Sequence, residues 1–133
     1  ERYRMYIEHA PEGIFVSDKL GRFVDANPTA CAMVGYSHSE LLRMVATDLS
    51  PPDQVGVYVA AFKQILANGR HELEITLCRK EGNNIVGSLR AITLPGDLIM
   101  GFCTDITVRK LAEEQIHNRI AVFSSTACAK QWS

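Results

Sequence analysis

Residues 98–118 constrain the fold more than any other stretch. Leu98-Ile99-Met100-Gly101-Phe102-Cys103 is an apolar, strand-like run, and Asp105-Ile106-Thr107 carries it straight into a charged segment that begins Val108-Arg109-Lys110. A strand whose last residues cap a helix joins a sheet to a rod, so a small shift in the sheet can pass to whatever the helix meets. Two earlier runs, 72–79 and 85–94, are divided from each other and from this strand by Lys80-Glu81-Gly82-Asn83-Asn84 and Pro95-Gly96-Asp97. Three strands with such short, turn-forming connections make an antiparallel meander.

The preceding half of the chain is punctuated by local signals. Tyr3, Tyr6 and Ile7 stand at helical spacing, and Pro11-Glu12-Gly13 stops that leading helix. Ile14–Ser17 and Arg22–Asp25 are β-branched and aromatic runs around a turn in which Gly21 can take a positive φ. Asn27-Pro28 is a helix start, ended by Gly35, and Ser37-His38-Ser39-Glu40 is a capping box that opens a short helix running to about Met44. Ser50-Pro51-Pro52-Asp53 opens a longer helix over 53–68, with Val55, Val59, Phe62 and Leu66 as its apolar stripe. Two strands, several helices and three strands predict an α+β domain, a five-stranded antiparallel sheet with helices packed on one face.

The expected division is a leading helix at 1–10, the domain proper at 11–106, and a C-terminal helix or linker at 107–133. In that last segment Val108, Ala112, Ile116, Ile120 and Phe123 recur at helical spacing, an apolar stripe with no sheet left to cover it. Pairing with a second copy is the expected use, giving a weak homodimer.

Charge and composition exclude several classes. Fourteen Lys+Arg against fifteen Asp+Glu leave a net charge of −1, so there is no electrostatic footprint for nucleic acid or an anionic membrane. No apolar run approaches the ~20 residues that span a bilayer, so the segment is not expected to insert in one. Cys31, Cys78, Cys103 and Cys128 are scattered without a paired motif or histidines at ligand spacing, and read as small thiols rather than a metal or redox centre. Glu72 and Glu74 alternate with Leu73 and Ile75 and read as a solvated strand face rather than paired catalytic carboxylates. With no Ser-His-Asp set, phosphate-cradling glycine loop or metal cluster, the segment is not expected to be an enzyme.

Taken in order, Glu8-His9-Ala10-Pro11-Glu12-Gly13-Ile14, Asp18-x-x-Gly21, Asn27-Pro28-x-Ala30, Gly35-Tyr36-Ser37 with Glu40-Leu41-Leu42, His71 and Glu74 followed by Leu77-x-Arg79-Lys80-x-Gly82, and Asp105-Ile106-Thr107 resemble the PAS sensor-domain family with its C-terminal PAC-type motif, over about residues 3–110. The resemblance implies a cupped sheet over the middle helices, used to sense a small molecule or to bind partners, in cytoplasmic histidine kinases, diguanylate cyclases or transcription regulators. Within that frame, strand alternation places Phe15, Ser17, Leu73, Ile75, Leu77, Leu89, Ala91, Ile99, Gly101 and Cys103 on the cupped face, closed by Val59 and Phe62 from the long helix. The same positions serve equally as plain core. Asp105, Thr107 and Arg109 are the expected signal junction, with Asp105 and Arg109 at ion-pair spacing.

Haem-binding members of the family usually carry an axial histidine on the long helix, and Gln54 to Asn68 holds none; light-sensing members need a Gly-x-Asn-Cys-Arg motif where this chain has Met44-Val45-Ala46-Thr47-Asp48-Leu49. No cofactor is predicted, with an unidentified small-molecule ligand left open. The sequence thus reads as a cytoplasmic sensory and dimerisation module of a sensor histidine kinase, acting on an output domain of the same polypeptide. The alternatives are a ligand-free interaction scaffold, or a module of a diguanylate cyclase or transcription regulator.

Overall fold

The computed structural model describes residues 7–117. Ile7 and Glu8 are helical and His9 turns, so most of the leading helix lies outside the described residues. Strands β1 (Gly13–Asp18) and β2 (Phe23–Ala26) form the first hairpin, with Gly21 at φ 86° in its turn. Helices α1 (Pro28–Val34) and α2 (His38–Leu41), two 3₁₀ turns (Ala46–Leu49 and Pro52–Gln54) and α3 (Val55–Asn68) follow. Strands β3 (Arg70–Cys78), β4 (Asn84–Leu94) and β5 (Leu98–Asp105) then lead into α4, Thr107–His117. The five strands lie in the order β2-β1-β5-β4-β3, every pairing antiparallel. The last strand in sequence therefore occupies the centre of the sheet, beside the first.

Local chemistry explains most element ends. The Asn27 carboxamide oxygen accepts from Ala30 N at 2.9 Å to cap α1, and Gly35 closes that helix at φ 81°. The capping box of α2 is complete, Ser37 Oγ accepting from Glu40 N at 3.1 Å while Glu40 accepts from Ser37 N at 2.8 Å. Ser50 caps nothing: its hydroxyl donates to Pro51 O at 2.7 Å, and α3 starts after the 3₁₀ turn without a side-chain cap.

The face of α3 differs from the sequence expectation. Tyr58, Ala61 and Ile65 are buried against the sheet and Phe62 is half-buried, whereas Val55, Val59 and Leu66 are exposed. At 3.6 residues per turn the buried face is rotated by about 90° from the predicted stripe. The helix is apolar almost all round, so periodicity could not choose among its faces. Tyr58 chooses: its hydroxyl reaches Thr76 O at 2.6 Å and Leu49 O at 3.3 Å, while Ala61 lets the helix approach the strands closely. Phe15, Phe23, Leu41, Leu49, Ile75 and Leu77 belong to the core between helices and sheet.

Candidate ligand cavity and signal junction

The cupped face encloses a cavity of about 90 Å³. Its wall takes Phe15 and Ser17 from β1, Ile75 and Leu77 from β3, Leu89 and Ala91 from β4, and Ile99, Gly101 and Cys103 from β5. Phe62 closes it from α3, as expected, together with Tyr58, Ala61 and Ile65. Two predicted positions fall elsewhere. Val59, 43% exposed, faces outward because α3 is rotated, and Leu73 is half-buried against the core outside the cavity wall. Phe23, Ala46 and Leu49 complete the wall and carried no periodic signal.

The lining is apolar, and its phenol is already committed to two carbonyls. Burial pushes the Tyr58 hydroxyl above its ordinary value and the Cys103 thiol up to about 12, so neither ionises near neutrality. Cys103, 1% exposed, should resist alkylation at pH 8 until the protein is denatured, whereas half-buried Cys31 reacts sooner. Peptide mapping after brief iodoacetamide treatment checks this, and rapid native labelling of Cys103 would contradict it.

At the end of β5 the chain is clasped to its neighbour. Thr107 N and Thr107 Oγ1 both donate to Asp105 Oδ1, at 2.9 and 2.6 Å, which supplies a partner to one of the first free N–H groups of α4. The same Thr107 hydroxyl accepts from Val86 N at 2.9 Å, and Ile106 N donates to Val86 O at 2.8 Å. Asp105, Ile106 and Thr107 are thus stitched to β4. Arg109 does not pair with Asp105. It reaches Glu74 at 3.3 Å, where Lys110 also binds at 3.2 Å, and Arg109 approaches Glu113 at 3.8 Å. Glu74 is therefore more than a solvated strand residue, since it ties β3 to the first turn of α4. The Glu74 hydrogen bond holds the Lys110 ammonium above its usual pKa.

Residues 11–108 match the family described as the PAS domain. The chain belongs to that family. A domain of a sensory box sensor histidine kinase/response regulator from Geobacter sulfurreducens is 32% identical, with a TM-score of 0.72, over 78% of this chain and 91% of that one. A PAS domain from Colwellia psychrerythraea is 20% identical with a TM-score of 0.77, over 81% of this chain and 97% of that one. The sensor histidine kinase TmoS of Ectopseudomonas mendocina is 23% identical over 87% of this chain, which spans 13% of that kinase's length.

In this PAS domain His9, His38 and His71 are absent from the cavity wall: His71 is the second residue of β3, half-buried, and His38 pairs at the surface with Asp25 at 3.0 Å. Among the described residues no cluster of metal-ligating side chains occurs and no helix is long and apolar enough to cross a membrane. Cys78 departs from the reading of four thiols, being disulfide-bonded. Of the stripe assigned to dimerisation, Val108 is 82% exposed and Ala112 is exposed, whereas the Ile116 side chain, Ile120 and Phe123 lie outside what the structure describes.

Proposed function

We propose that this PAS domain is the sensory module of a cytoplasmic signalling protein, a sensor histidine kinase in the first instance, and that a small apolar ligand in the cavity changes the set of α4. One observation carries the reading. Cys103 in the cavity wall stands two residues before Asp105 on β5, while Gly87 of β4 pairs with Asp105 and its neighbour Val86 holds Thr107. Displacement of β4 from β5 by an occupant therefore acts on both halves of the clasp. The ligand biases the equilibrium only by its different affinity for the two arrangements. Residues 107–133 form the output segment, and exposed Val108 and Ala112 support pairing of that helix with a second copy. The kinase assignment draws on the named relatives; a diguanylate cyclase or transcription regulator is the alternative parent.

The cavity volume favours a ligand of few atoms, since sites for drug-sized molecules measure ~300–1,000 Å³. It also supports the second reading, a scaffold whose cavity is a packing remnant. Native mass spectrometry of freshly purified protein, followed by amide NMR under xenon, separates them. A retained small molecule or xenon-induced shifts at Leu89, Ala91 and Cys103 support sensing, and their joint absence leaves the scaffold.

A further inference from the structure

Outside the cavity lies a groove of about 310 Å³ between the β1–β2 turn and α3. Ala46, Tyr58 and Phe62 line both spaces, so a single layer of side chains divides them. Beside Phe62 that layer is thin: Gly21 and Ala46 offer no long side chain to lock the ring. The groove is apolar at its floor and cationic at its rim. Leu20 and Leu66 stand exposed beside it, Lys19 and Lys63 border it, and no carboxylate lines it. Asp97 meets Lys19 at 3.0 Å, while Lys63 makes no ion pair among the described residues. An apolar floor under uncompensated positive charge complements a molecule with an aliphatic body and an anionic end.

We propose that groove and cavity form one site for an amphiphilic carboxylate, its unbranched tail passing Phe62 into the cavity and its head group at Lys63. This rests on the reading that an occupant of the cavity resets α4, and lengthens that occupant from the few atoms the cavity alone admits to a chain that also fills the groove. The interior suits a tail rather than a head, because the phenol it contains is already hydrogen-bonded to Leu49 and Thr76. Leu20, with little to cover it in the free protein, gains a neighbour along the tail.

Decanoate, decanol and decyltrimethylammonium, titrated separately into the ¹⁵N-labelled protein, test the assignment. Decanoate should shift amides at Lys63 and also at Gly101 and Cys103, and bind more tightly than decanol or the cation. Lys63→Gln should weaken decanoate about fivefold and leave decanol unchanged, the size expected of an exposed ion pair. Decanoate shifts confined to the groove, equal affinity for the three probes, or insensitivity to Lys63→Gln would overturn it. If xenon enters the cavity and decanoate does not, the ligand class falls while the sensing reading stands.

Discussion

Asn27→Ala should destabilise the domain by about 3 kcal/mol, as much as truncating a buried apolar side chain of the core. Asn27 is 2% exposed and uses its whole carboxamide. Its oxygen accepts from Ile14 N and Ala30 N, both at 2.9 Å, and its nitrogen donates to Ile7 O at 2.8 Å and Glu12 O at 3.0 Å. One side chain thus joins the segment before β1, the first residues of β1 and the start of α1. Truncation leaves two buried donors without acceptors, and each such group costs roughly 1–3 kcal/mol. Asn27→Ser should restore only the helix cap, recovering about 1 kcal/mol. Urea unfolding of the three proteins checks the order, and a loss below about 1 kcal/mol for Asn27→Ala would show that water replaces the carboxamide.

Gly87→Ala should cost about 2 kcal/mol although alanine suits a strand better than glycine. A Cβ at position 87 would stand 2.5 Å from Cys103 Sγ and 3.1 Å from Leu77 Cδ1, so one of these buried neighbours must move. The closer clash is with one atom, so Gly87→Ala with Cys103→Ala should be less destabilised than the two single effects added, by about 1 kcal/mol. Additive losses would place the strain in the β4 backbone. The same contact explains why the site matters beyond packing: Gly87 pairs with Asp105 and touches the cavity wall through Cys103.

Features encoded within a few residues were legible in the sequence. Asn27-Pro28, the Ser37–Glu40 box, Gly35 and Asp105-Ile106-Thr107 act locally, and the structure uses each at its expected element end. Strand alternation was also sufficient for Phe15, Ile75, Ala91 and Cys103, because a strand has only two faces. Helix α3 has more than two, and with Lys63 as its single charged residue the stripe Val55, Val59, Leu66 competed with Tyr58, Ala61, Ile65; the hydroxyl partners of Tyr58 decided, and they lie in other segments. Arg109 illustrates the same limit. Asp105 stands four residues before it, as Glu113 stands four after, but Glu74, 35 residues away, is brought beside it by the sheet. Asn27 was legible as a cap and not as a four-way tie, since Ile14 and Glu12 reach it only once β1 is in place.

Coupling between cavity and α4 is the central claim, and amide NMR of the wild type and of Asp105→Ala/Thr107→Ala under xenon tests it most directly. In the wild type, shifts should appear at the cavity strands and continue through Asp105 into residues 107–110. In the double variant the cavity shifts should persist while those in 107–110 shrink, because the bond from Val86 N to the Thr107 hydroxyl and those between Asp105 and Thr107 are gone, leaving only the Ile106–Val86 backbone bond. Wild-type shifts that stop at Cys103, or identical propagation in both proteins, would contradict the account.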